Sequence, residues 1–91
     1  MMKAVMLFRS GGRVPEAVSL AEQLKALEFV TDAYAVFGRF DIVAYLECKD
    51  MKELFRSVSE ATKLKGIMSS ESLIEVEANQ DSREYDKGPF S

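Results

Sequence analysis

Ninety-one residues, 47% of them hydrophobic and 30% charged, have the balance of one small folded domain and not of a disordered chain. The formal net charge is −3, and the twelve Lys and Arg residues are scattered, which argues against a surface for nucleic-acid backbones. Histidine is absent and Cys48 is the single cysteine, which excludes an intrachain disulfide, a multi-cysteine metal site and any catalytic set that needs an imidazole.

Residues 2–9 read as a first strand, broken by Gly11-Gly12. This apolar start is short, interrupted by Lys3 and followed by Arg9, so neither a signal peptide nor a membrane span is expected, and with a single cysteine a cytoplasmic setting is the expectation. Pro15 suits the first turn of a helix, where its missing N–H costs nothing. Ala17, Leu20, Ala21, Leu24 and Leu27 then recur at helical spacing and predict a helix over 15–28. Residues 29–37 and 40–48 read as two strands, with Gly38-Arg39 between them as a two-residue type II′ hairpin. Asp50 and Glu53 form a capping-box-like pair at the start of a second helix, with Met51, Leu54, Phe55, Val58 and Ala61 on one face and Gly66 at its end. Residues 67–77 predict a fourth strand.

The order β-α-β-β-α-β predicts an α+β, ferredoxin-like domain: a four-stranded antiparallel sheet with two helices on one face. The domain is expected over 1–78, with a polar C-terminal tail over 79–91. One face of the first strand carries Met2, Ala4, Met6 and Phe8; the other carries Lys3, Val5, Leu7 and Arg9. The third strand has an apolar face, Phe40, Ile42, Ala44 and Leu46, opposite Asp41, Val43, Tyr45 and Glu47. Two helices cover only one face. Val5, Leu7, Val43 and Tyr45 would therefore form an apolar centre with a charged rim on the other, the pattern of an interface. A second copy of the sheet across a two-fold axis is the expected cover.

The stretch Val36-Phe37-Gly38-Arg39-Phe40-Asp41-Ile42-Val43-Ala44 resembles the strand-turn-strand signature of the Lrp/AsnC ligand-binding (RAM) domain. The capped helix, Gly66 and hydroxyl-rich strand Ser69-Ser70-Glu71-Ser72 continue the resemblance, which covers roughly residues 3–77. Full-length members carry an N-terminal helix-turn-helix; this chain begins at the first strand and resembles the stand-alone form. The resemblance implies dimers that assemble into rings, and a small effector, typically an amino acid, held between dimers. It places the effector at Gly38, Arg39, Phe40 and Asp41, with Ser70, Glu71 and Ser72. It further implies a regulatory module for transcription of amino-acid metabolism genes, partnering full-length relatives without binding DNA or membrane itself.

Each of these residues also has a plainer role. Gly38 fits any turn that needs φ > 0. Asp41 can accept backbone hydrogen bonds from the turn or receive an ammonium group, and both readings stay open. Ser70 and Ser72 share one face of their strand, and strand serines are usually just solvated. Gly11-Gly12 ahead of a helix could hold an anion. No catalytic residues, cofactor or metal ligands assemble. A small dimeric α/β-barrel enzyme of the cofactor-free monooxygenase kind is the alternative with the same layout, and the amino-acid-binding ACT domain is a third.

Overall fold

Strand β1, Met2–Arg9, alternates because every second residue is apolar and bound for one side of the sheet. Ala4, Met6 and Phe8 are buried, whereas Val5 and Leu7 are only half-buried. Helix α1 (Val14–Lys25), strands β2 (Val30–Ala35) and β3 (Ile42–Cys48), helix α2 (Met51–Thr62) and strand β4 (Ser69–Ile74) follow. The structure, a computed structural model, describes residues 1–75. The boundary expected at residue 78, the tail expected over 79–91, and residues 76 and 77 of the last expected strand lie outside the described residues. The sheet order is β2-β3-β1-β4 with every pair antiparallel, which is the ferredoxin-like arrangement.

One core joins the helices to the sheet. Ala17, Leu20, Ala21 and Leu24 of α1 meet Met6, Phe8, Ala33, Ile42, Ala44 and Leu46, and Leu54 and Ala61 bring α2 to the same side. Burying a side chain such as Phe8 contributes about 1.5–3 kcal/mol. The two helices start differently. Asp50 caps α2 by accepting the Glu53 N–H at 3.0 Å, and the Glu53 carboxylate returns to the Lys49 N–H at 2.7 Å. Arg13 occupies the N-cap of α1 with no side-chain cap at all.

Several boundaries differ from expectation. Helix α1 stops at Lys25, three residues early, and the N–H groups of Ala26 and Leu27 close back on Gln23 and Leu24. Helix α2 ends at Thr62, and Gly66 (φ +106) belongs to the turn after it, packed against Leu20. The buried face of α2 is rotated from the expected one: Leu54, Ser57 and Ala61 point inward, while Met51 and Phe55 are exposed. Ser57 tolerates the interior because its hydroxyl donates to the Glu53 carbonyl at 2.9 Å and lies 3.8 Å from Cys48 Sγ. Strand β2 carries a bulge at Thr31: Val30 pairs with Leu46, but Asp32 pairs with Tyr45.

The hairpin is also wider than a two-residue turn. Strands β2 and β3 end and begin at Ala35 and Ile42, and the loop is closed by Val36 N–H donating to the Asp41 carbonyl at 2.8 Å. Residues 37–40 form the tip, with Gly38 at φ +143, a conformation that L side chains avoid. The physical cause lies in β1. Asp41 is already committed to the end of that strand, so pairing in the hairpin stops there.

Candidate ligand site at the hairpin end of the sheet

The C-terminal end of β1 is a hub for its two neighbours. The Asp41 N–H donates to the Phe8 carbonyl, and the Ser10 N–H donates to Asp41 Oδ2, both at 2.8 Å. On the other side the Met68 N–H donates to the Arg9 carbonyl at 2.8 Å. Above the same strand end the Arg9 guanidinium lies 5.5 Å from the centre of the Phe40 ring, within cation–π range. Two polar groups of Asp41, its N–H and its carboxylate, thus fix the hairpin to the end of β1. A carboxylate has about four lone-pair sites, so capacity remains for a further donor.

Asp41 also lines a cleft of about 280 Å³ between the hairpin and the first half of α1. Arg13 and Gly12 edge it, and Val14, Val18, Val36 and Phe37 supply apolar walls. Phe37 is 92% exposed at the hairpin tip. The cleft is therefore an apolar slot with one carboxylate and one guanidinium on its rim.

The expected site residues do not all converge. Gly38, Arg39, Phe40 and Asp41 are contiguous at the hairpin. Ser70 and Ser72 stand opposite Phe8 and Met6, so they face the helix side of the sheet, while Glu71, opposite Leu7, faces the other side. Strand β1 lies between them and the hairpin strand, which separates β4 from β3 by about 10 Å, two strand spacings. One subunit does not bring the two groups into contact.

The open face holds the four residues expected at an interface. Tyr45 is 39% exposed and Val5 and Leu7 are half-buried, but Val43 is only 7% exposed in the single chain. Tyr34 opposite Val43, and Leu73 opposite Val5, extend the apolar patch across all four strands. The Tyr34 and Tyr45 hydroxyls lie 3.2 Å apart with ring centres at 6.0 Å. That hydroxyl contact, with smaller contributions from burial and Asp32, raises the Tyr34 pKa above its ordinary value.

Sequence reasoning missed Arg13, Val14, Val18 and Phe37 of the cleft, and Tyr34 and Leu73 of the patch. A signal existed for two of them. Val14 and Val18 are four apart on α1 yet off the stripe of buried alanines and leucines, so they mark a second, narrower apolar edge. Tyr34 and Leu73 needed the pairing register, which the sequence alone does not supply. Among the described residues no group of three His, Cys, Asp or Glu side chains could hold a metal ion, and no helix is long and apolar enough to cross a membrane.

An antiparallel sheet with two helices on one face and the other face apolar and open defines a small ferredoxin-like α+β module. The sequence pattern of the Lrp/AsnC ligand binding domain matches residues 6–85, so the chain belongs to that family. Among solved structures, TTHA0845 of Thermus thermophilus is 31% identical, with a TM-score of 0.76 over 87% of this chain and 98% of its own. Hypothetical protein PHS023 of Pyrococcus horikoshii is 26% identical, with a TM-score of 0.72 over 85% and 92%. The E. coli AsnC structure shares the fold at 21% identity and a TM-score of 0.72, and this chain spans about half of it, 51%. A Neisseria meningitidis transcriptional regulator in complex with L-Met shares the fold at 15% identity, with a TM-score of 0.69 over 84% of this chain and 50% of its own. No protein of curated function is recognisably similar to the chain.

Proposed function

We propose that the chain is an amino-acid-responsive, oligomerising regulatory module that acts on transcription through full-length Lrp/AsnC partners, without touching DNA itself and without catalysing a reaction. The observation that carries this reading is the pair Asp41 and Arg13 on the rim of an otherwise apolar cleft. A zwitterion needs an acceptor for its ammonium group and donors for its carboxylate. Asp41 offers the first, and Arg13 on the same rim offers the second. The walls of Val14, Val18, Val36 and Phe37 favour an apolar side chain on the effector. The family, and a relative of the same fold described with L-Met, support that ligand class.

A cleft edged by a tip residue as exposed as Phe37 gives a small ligand little enclosure. A neighbouring subunit in a dimer or ring of dimers closes it, and Ser70, Glu71 and Ser72 enter the site as that neighbour's groups. The apolar patch at Val5, Leu7, Tyr45 and Leu73 supplies the contact that makes the dimer. The net charge of −3 leaves DNA contact to the partners.

Calorimetry of the full chain against methionine, leucine, aspartate and lysine tests the reading. Asp41→Asn keeps an acceptor for the Ser10 N–H but removes the charge, and should weaken binding of the preferred amino acid about tenfold or more. Binding of none of the four, or an Asn variant as tight as the native chain, would sink the proposal.

A further inference from the structure

Ser10 carries the one buried side-chain polar atom without a hydrogen-bond partner among the described residues. The residue is 7% exposed, and an unsatisfied buried hydroxyl costs about 1–3 kcal/mol. Such groups are few in natural structures, and a ligand bound beside them is one reason for their presence. Its backbone N–H is already used, on Asp41. The alternation that sends Ala4, Met6 and Phe8 toward the helices sends the Ser10 side chain the same way, toward a second cleft that it helps to line.

That cleft, of about 420 Å³, lies between the start of α1 and the turn that leads into β4. It is separate from the hairpin slot, although Arg13 borders both. Gly11, Glu16, Lys65 and Gly66 are among its walls. Here α1 begins uncapped, and its first backbone bond runs from the Ala17 N–H to the Arg13 carbonyl. The N–H groups of Val14 and Glu16 therefore belong to the unpaired first turn, where Pro15 has none to offer. Nothing lies within 4 Å of where a Cβ would stand on Gly11, so the backbone there is open to close approach.

An uncapped helix start, two flanking cations and a buried hydroxyl without a partner ask for the same thing, a group of acceptor oxygens bearing negative charge. One residue opposes it. Glu16 also faces the cleft and sits 3.6 Å from the Arg13 guanidinium, so a bound anion would compete with that carboxylate.

We propose that this cleft binds a small oxyanion, the phosphate or carboxylate group of a metabolite, through Ser10 Oγ, Lys65 and the first turn of α1. The inference goes beyond the hairpin reading and does not depend on it. Thermal unfolding of the full chain in buffers of equal ionic strength tests it, with chloride as the baseline and orthophosphate or acetate as the probe. A ligand of the native state raises Tm with its concentration. Whichever of the two anions raises Tm identifies the group. Ser10→Ala and Lys65→Ala should each weaken the apparent affinity about tenfold, and Glu16→Gln should strengthen it by removing the competing charge. In chloride alone Ser10→Ala should unfold no earlier than the native chain, because it deletes an unsatisfied atom and no bond. If neither anion raises Tm, or if both alanine variants respond as the native chain does, the proposal is overturned.

Discussion

The two faces of the sheet are built from the same strands, a residue apart, and differ in what covers them. On the helix side Met6, Phe8, Ala33, Ile42 and Ala44 are sealed. On the other side Val5, Leu7, Tyr34, Tyr45 and Leu73 are apolar but only partly covered, by one another. Val43 is the exception, since its neighbours on both sides already enclose it. Apolar composition therefore does not decide which face is core. The helix side owes its stability to folding; the open side has apolar surface still to cover, which the proposed dimer would do.

The largest effect should come from the sealed side. Phe8→Ala leaves a cavity that the surrounding helices only partly fill, and should cost about 3–5 kcal/mol in urea-induced unfolding. Leu73→Lys probes the open side. It should weaken self-association about tenfold or more in sedimentation, while the stability of the single subunit changes by less than about 0.5 kcal/mol. Leu73 is the cleaner choice, because it is 52% exposed, whereas a lysine at Val43 would disturb folding and association together. A native chain that sediments as a stable monomer would remove the distinction between the faces.

The smallest effect is on pH dependence. With its folded pKa raised by the Tyr45 hydroxyl, Tyr34 holds its proton longer in the folded chain than in the unfolded one. Between the ordinary tyrosine pKa of about 10 and the higher folded value, the unfolded state binds fewer protons, so stability falls as pH rises through that window. Below it the contribution is fully present. Tyr34→Phe should flatten this alkaline decline, and Tyr45→Phe should return the Tyr34 ultraviolet titration toward its ordinary midpoint. A midpoint unmoved in Tyr45→Phe would show that the hydroxyl pair is not the cause.

The element order, the α1 stripe and the two faces of β1 were legible because period and alternation are local properties of the chain. Asp50 was legible as a cap for the same reason. What escaped depended on partners distant in sequence. The hairpin width is set by Asp41 bonding to Phe8 and Ser10, more than thirty residues away. The face of α2 is set by Ser57, a polar residue that hides its hydroxyl against its own helix. The hairpin residues Gly38 to Asp41 could be read from the sequence as one cluster. The serines of β4 could not be placed beside or apart from it until the sheet order put β1 between them.

The bulge at Thr31 makes one position of β2 unlike all the others. Elsewhere in a strand, adding or removing a residue reverses the orientation of everything on one side of the change. Thr31 is the surplus residue that lets Val30 and Asp32 stand opposite Leu46 and Tyr45, which are neighbours in β3. Deleting it would leave Val30 and Asp32 adjacent, in step with their partners, and every other side chain of the strand on its present face. Among the described residues the sheet thus contains a single place where chain length is free to vary by one without a change of frame, and it lies at the far end of β2 from the hairpin cleft.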